Sequence, residues 1–388
     1  MIEWKEIRVG DIGRVITGKT PKTSISENYG GSIPFITPSD DMSVKHIYST
    51  NKTLTELGAQ SVKNNIIPAN TICVSCIGSD LGKVVISTEE SVTNQQINSI
   101  IVNREKYDLN FIYYVMTELG KVMNHHSKTS TAVPIVNKSQ FSEYTFQCPD
   151  KETQKKIGKM LDLLDKKIET NDAINRNLSE QADCLFEEWI KSCDSEISIG
   201  DMADNIIDYN VGEHKQVVLV NSSDVTEGHF EHHNLSENVD LKGHFKKAFK
   251  KWDILYSEIR PRNKHYAYCQ FDPDGYIAST RLMIIRNKPE MVSSSMLYQY
   301  LMLRNVFEEF TLKTESRSGT FPQGRYEDMA AIKVPYSIDN QEEVASALDS
   351  IYAILWKNEV ENRRLSGLRD SLLPKLMSGE LDVSDLEI

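Results

Sequence analysis

Two long stretches of this chain, read 187 positions apart, carry the same apolar rhythm, and that repeat constrains the fold more than any other feature. The first runs from about Lys151 to Ile190 and the second from about Asn340 to Met377. With Gln154 set against Gln341, Ile157, Leu161, Leu164 and Ile168 fall opposite Val344, Leu348, Ile351 and Leu355. Leu178 and Leu185 fall opposite Leu365 and Leu372. Spacings that alternate four and three are those of a coiled-coil seam, so both stretches are expected to be helices that pair. Asn171 and Asn175 interrupt the first seam where Asn358 and Asn362 interrupt the second. Polar residues in a seam lower stability and fix register. Because they sit near the middle of each helix, antiparallel pairing brings them face to face. At 1.5 Å per residue each helix would span ~57 Å.

The segments before each helix repeat more weakly. Ile33-Pro-Phe-Ile-Thr-Pro-Ser-Asp40 parallels Val217-Val-Leu-Val-Asn-Ser-Ser-Asp224, and Asn70–Gly78 parallels Trp252–Arg260. Residues 129–141 parallel 316–328. Short runs rich in β-branched residues, broken by Gly, Pro and Asn, read as strands, with amphipathic helices around 110–123 and 293–311. The expected architecture is α/β: mixed modules at 1–150 and 195–337, and pairing helices at 151–194 and 338–388.

The formal net charge of −12 is a poor match for a nucleic-acid binder until it is divided. Residues 1–149 are neutral, 150–194 and 195–337 carry −3 each, and 338–388 carry −6. Within 242–264, Lys242, Lys246, Lys247, Lys250, Lys251, Arg260, Arg262 and Lys264 face only Asp253 and Glu258. With a screening length of ~10 Å, such a cluster can meet phosphate on an acidic protein; its bland alternative is a solvated lysine face.

Catalytic signatures are missing. Gly13-Arg-Val-Ile-Thr-Gly18-Lys19-Thr20 matches the phosphate-loop spacing, but Pro21 and a loop-like KTSISENYGG follow where a helix is required. Cys73 and Cys76 form a lone CxxC without a second pair, which reads as buried thiols rather than zinc ligands. His125, His126, His229, His232 and His233 lie in polar, loop-like contexts. No nucleophilic triad announces itself. No run approaches the ~18 apolar residues of a membrane span, and the chain opens without a signal-like segment, so a cytoplasmic location is expected. A binding protein, not an enzyme, is the reading that survives.

Several short motifs then carry a family resemblance: Gly18-Lys-Thr-Pro21, Ile33–Asp40, Thr93-Asn-Gln-Gln-Ile-Asn98 and Thr131-Ala-Val-Pro-Ile135 in the first module. Asp253-Ile-Leu-Tyr-Ser257, Ile277-Ala-Ser-Thr280 and Leu372-Leu-Pro-Lys-Leu-Met-Ser-Gly379 follow. Their order resembles that of the specificity subunit of type I restriction-modification systems. The resemblance implies two target-recognition domains, each reading half of a split, asymmetric site in double-stranded DNA. It implies long conserved helices that separate them and dock two methyltransferase (modification) subunits, to which restriction subunits are added. S-adenosylmethionine, ATP and magnesium would then belong to those partners, and this chain would bind no cofactor, no metal and no membrane. In the second module Ala278-Ser-Thr-Arg281 replaces the Thr-Asn-Gln-Gln stretch.

Bases are read from groove edges by Arg, Asn, Gln, Ser and Thr, while Lys and Arg hold phosphates. The candidate DNA-contacting residues are Lys19, Thr20, Lys22, Lys83, Asn94, Gln95, Gln96 and Lys128 in the first module. In the second they are Lys246, Lys247, Lys250, Lys251, Arg260, Arg262, Lys264, Arg281, Arg317 and Gln323. Asn94–Gln96 could equally brace their own domain, and Thr37, Ser39 and Asp40 read as a turn cap. The rival functions are a specificity protein of another modification or defence system, and a nucleotidase or nuclease using Gly13–Thr20.

Overall fold

The structure, a computed structural model, describes residues 4–127, 135–239, 243–317 and 322–383. Both long helices are present, as Lys151–Ser192 and Gln341–Met377. The first begins where the Asp150 carboxylate accepts hydrogen bonds from the Glu152 and Thr153 amides and the Thr153 hydroxyl. That cap satisfies amides with no partner inside the helix, and it holds the Asp150 carboxyl below its usual range. Gly158 is needed inside this helix because a Cβ there would lie 2.5 Å from Asp108 Oδ1 and 2.8 Å from the Phe111 amide nitrogen. No helix among the described residues is long and apolar enough to cross a membrane.

The chain divides into two compact units that do not follow its linear segments. Residues 1–170 and 361–388 form one, and 171–360 form the other. Each unit therefore takes half of each long helix, and within each the halves run antiparallel. In the first unit, Ile157 and Leu161 share a core with Leu373 and Leu376, and Arg369 bonds Asp165. In the second unit, Asn358 Nδ2 donates to Asn175 Oδ1 at 2.8 Å, and Trp189 Nε1 donates to the Asp339 carbonyl. As the number rises on one helix it falls on the other. Of the seam residues, Val344, Leu348 and Leu355 are buried, as is Asn171; Leu164, Ile168, Leu178, Leu185, Ile351, Leu365 and Leu372 are partly covered. The periodicity missed Ala182, Phe186 and Trp189, which are buried on the first helix in the second unit's core.

The modules repeat one strand order. In the first unit four antiparallel strands run in the order Gly13–Thr17, Ile97–Val102, Ile72–Ser75, Val84–Ser87, and His46–Ile47 adds a fifth, parallel strand at the edge. In the second the order is Ala203–Asn205, Leu282–Asn287, Ile254–Ser257, Tyr266–Tyr268. Each module also holds one parallel pair inside a second sheet, Phe35 beside Val92 and Val218 beside Tyr276. Each is closed by a four-residue antiparallel ribbon, Lys5–Arg8 with Thr145–Cys148 and Ser195–Ser198 with Lys333–Tyr336. The turn after the parallel strand is built alike twice: Asp40 Oδ2 accepts from the Thr37 amide, and Asp224 Oδ2 from the Asn221 amide. The helices differ. Leu109–Ser127 is unbroken, whereas its counterpart leaves helical geometry at Leu303 (ψ 133°) and becomes Ser294–Met302 and Arg304–Glu315.

Candidate nucleic-acid interface

In the first module the Gly18-Lys-Thr-Pro and Thr-Asn-Gln-Gln motifs meet. Gly18 donates its amide to the Ile97 carbonyl and Lys19 to that of Thr93, while the Thr20 hydroxyl bonds Gln95 Oε1 at 2.6 Å. Only glycine fits at position 18, because a Cβ would lie 2.1 Å from the Asn94 carbonyl oxygen. Asn94 is turned inward onto its own turn: Oδ1 accepts the Gln96 amide and Nδ2 donates to Gln96 Oε1. Asn94 and Gln96 thus brace the loop, while Gln95, Lys19 and Lys22 stay exposed.

A second loop joins this surface. After strand Ile72–Ser75 the chain turns through Gly78 (φ 64°) and Gly82 (φ 90°) and returns at Lys83, whose ammonium pairs with Asp80 at 2.8 Å. The Cys76 amide donates to the Gln96 carbonyl, which ties the two loops together. Lys128 lies outside the described residues.

The second module builds the same construction from different side chains. After strand Ile254–Ser257 the loop turns through Arg260 (φ 47°) and Lys264 (φ 52°), 182 positions after Gly78 and Gly82. The Glu258 amide donates to the Arg281 carbonyl, matching Cys76 with Gln96. Asn70 (φ 61°) and Trp252 (φ 77°) repeat the offset before the strands. Side chains in left-handed backbone cost ~1–2 kcal/mol each, so the loop retains its shape where glycine has been lost. Arg262 forms a two-pronged bond with Glu315 at 2.7 and 3.0 Å, and Lys264 pairs with Glu227 at 2.8 Å. Arg281 and Gln323 are exposed beside them, with Gln323 bridged to Ile259. Arg317 is engaged with both carboxylate oxygens of Asp328.

The basic run 242–264 is not one cluster. Lys247 is buried, 6% exposed, and its ammonium donates to the Leu282 carbonyl at 2.7 Å and faces Glu258 at 3.8 Å. Burial lowers its pKa, and burial raises that of Glu258. Its strand alternates, so Lys247 points inward where Lys246 points out. Lys250 and Lys251 precede strand Ile254–Ser257 and Arg260–Lys264 follow it, a separation of at least ~13 Å at ~3.3 Å per residue. Lys251 lies over the Trp252 ring at 4.5 Å. Lys242 lies outside the described residues.

The phosphate-loop geometry is not formed. Gly13–Thr17 is itself a strand paired with Ile97–Val102, and the next helical turn is the three-residue Ser26–Asn28. Cys73 and Cys76 are buried thiols, pushed by burial up to about 12 and about 11. Cys184, in contrast, is exposed. His229 pairs with Glu359, His232 with Asp224, and His233 with the Tyr276 hydroxyl. Among the described residues no group of three or more His, Cys, Asp or Glu could hold a metal ion.

Comparison with known proteins agrees with this geometry. Residues 1–180 match the family model described as the type I restriction modification DNA specificity domain. The HindI specificity subunit of Haemophilus influenzae is 38% identical over 40% of this chain, a match that spans 34% of that protein. The MjaIX specificity subunit of Methanocaldococcus jannaschii is 25% identical over 99% of this chain and 95% of its own. A crystal structure of a type I restriction-modification S subunit from M. genitalium has the same fold, with a TM-score of 0.63 at 16% identity over 97% of this chain and 96% of that one. Residues 1–180 thus match the type I restriction modification DNA specificity domain, and with its repeated modules and paired helices the whole chain is similar to type I restriction-modification specificity subunits.

Proposed function

We propose that this chain reads a split, asymmetric site in double-stranded DNA, one half with each module. The observation that carries this is the repeated loop pair, alike in backbone and different in chemistry. One copy presents Gln95, Lys19 and Lys83 around a glycine-shaped turn; the other presents Arg281, Arg260, Arg262 and Lys264 around the same turn. Exposed amide, hydroxyl and guanidinium groups suit base edges, and the lysines suit phosphates. Two copies of one frame with unlike side chains would read unlike half-sites. The antiparallel helices fix the register of the pair and offer the surface on which two methyltransferase subunits would dock, with restriction subunits added. Those partners would supply the chemistry of S-adenosylmethionine, ATP and magnesium, and this chain none of it. Because each module is near neutral, sequence-specific binding should need the methyltransferase partner, which mobility shifts with and without that partner would measure.

The experiment is co-expression with the methyltransferase partner and mapping of methylated positions by long-read sequencing. Two short unlike sequences separated by a fixed spacer are expected. Gln95→Ala should relax one half and Arg281→Ala the other. A continuous motif, or one variant altering both halves, would overturn the reading.

A further inference from the structure

The second unit contains a cleft of about 920 Å3, of the size that holds small ligands, which Asn175 and Leu355 of the helix seam help to line and which DNA reading does not use. Its wall is aromatic. Tyr268 and Tyr298 stack at 5.2 Å, and Tyr352 stands edge-on to both at 5.5 Å. Tyr266 lies beside them, 6.4 Å from Tyr298. The break at Leu303 belongs to this cleft, since Met302, Leu303 and Arg304 line it. Its rim is acidic: six carboxylates line it against two arginines and one histidine. Glu359 is matched by His229, Glu227 by Lys264, and Arg304 is drawn to Glu308 outside the cleft. Asp183, Glu180 and Glu187 therefore crowd together on one helix face with Arg176 as the remaining cation. Partial desolvation outweighs the hydrogen bond from Gln299 to raise the Asp183 pKa, and repulsion from Glu187 and Glu180 adds to it.

One acceptor in the lining lacks a partner, since Gln270 Oε1 is buried without a hydrogen bond. Tyr298 and Tyr266 line the same cleft. Gly228, at φ 99°, keeps the space before the Tyr298 hydroxyl open, since a Cβ there would lie 2.5 Å from it. An aromatic wall, unneutralised carboxylates and the unpaired Gln270 amide oxygen together ask for a ligand that is cationic and carries N–H donors. The acids share a helix face without converging on a point: among the described residues no group of three or more could hold a metal ion. We infer that this cleft binds a linear aliphatic polyamine, with one ammonium over the tyrosine faces and another among Asp183, Glu180 and Glu187.

The test is calorimetric titration of spermidine and putrescine into the full chain, without DNA, at constant ionic strength. One saturable site per chain is expected, with spermidine tighter than putrescine, and magnesium at equal ionic strength should not displace it. Asp183→Asn keeps a partner for Gln299 and should weaken spermidine at least tenfold; Tyr298→Phe keeps the ring and should weaken it several-fold. Thermal midpoints measured alongside separate weaker binding from impaired folding. No saturable binding to the unaltered chain, displacement by magnesium, or unchanged affinity in both folded variants would overturn the proposal.

Discussion

The two units hold their modules onto the long helices at equivalent places with opposite chemistry. In the first, the joint is ionic and buried. Lys45, with a side chain only 3% exposed, pairs with Asp162 at 2.6 Å, and Lys166 takes the other Asp162 oxygen at 2.8 Å. The Tyr114 hydroxyl donates to Asp165, whose second oxygen receives Arg369 at 2.7 Å. Burial first, then the Asp165 charge, pushes the Tyr114 hydroxyl well above its usual pKa, so it remains a donor. In the second unit the position 187 after Asp165 is Tyr352, which receives a neutral hydrogen bond from Gln299 at 3.0 Å amid stacked tyrosines. The same frame thus tolerates a charge network or an aromatic layer. The difference is in failure: a buried ion left alone is costly, whereas a missing hydroxyl is not.

The first test removes the ion. Asp165→Ala leaves the buried Tyr114 hydroxyl without its acceptor and Arg369 with Asp370 alone, and should cost ~2–3 kcal/mol, whereas Tyr352→Phe should cost ~1 kcal/mol. Denaturant titration of the two variants checks this, and equal losses would erase the contrast.

Glycine supplies the next test. Gly82→Lys recreates the second module's residue in the first, but its Cβ would lie 2.1 Å from the Gly120 carbonyl oxygen. It should cost ~2–4 kcal/mol, ~1 of it from left-handed backbone and the rest from overpacking. Gly78→Arg meets nothing within 4 Å and should cost only ~1 kcal/mol. Similar losses for both, by thermal unfolding, would mean that the helix Leu109–Ser127 can retreat.

Acidity should separate the units. Burial alone would raise the Asp162 carboxyl, but Lys166 and Lys45 outweigh it and hold its pKa low. Its contribution is therefore full above the unfolded value near 4 and is lost as pH falls through the lower folded value. His229 has the opposite sign. The Glu359 hydrogen bond raises its pKa, so its contribution is full below ~6.5 and is lost as pH rises through the raised folded value. Hydrogen exchange should show the second unit loosening slightly as pH rises from ~6.5 and the first only as pH falls below ~4. The reverse order would break the comparison.

The seam asparagines give a smaller effect. Replacing Asn171, Asn175, Asn358 and Asn362 with Leu should raise the thermal midpoint while promoting self-association, read by light scattering. An unfolded quadruple variant would refute a register-fixing role. Smallest is the salt dependence of DNA binding. Removing Lys250 and Lys251 together, or Arg262 and Lys264 together, should flatten the log–log slope by ~0.9 for each phosphate no longer neutralised. Only one pair changing the slope would show which end of strand Ile254–Ser257 faces the backbone.

What the sequence made legible follows from range. The seam at Ile157, Leu161, Val344 and Leu348 was readable because helical burial is periodic, and the meeting of Asn175 with Asn358 followed from symmetry. Lys45 and Asp162 are 117 residues apart, and no local pattern could announce that pair. The lysine-rich run looked like one patch because a string of letters does not show that a strand passes through it or that Lys247 turns inward. The match of Gly78 and Gly82 with Arg260 and Lys264 was present in the repeat, but unlike residues concealed a shared backbone. Ala182, Phe186 and Trp189 fell outside the strict seam because the first helix there packs against a module as well as a helix.

The first unit is assembled from residues 1–170 and 361–388, and this interleaving has a consequence for synthesis. About 190 residues must emerge between its two pieces, ~10–40 s at ~5–20 residues per second. Throughout that wait Ile157 and Leu161 lack Leu373 and Leu376, and Asp165 lacks Arg369. A nascent chain therefore holds its earliest module unfinished until translation has passed the second, and a ribosome that stalls between them releases a product that proteases can recognise by its open core.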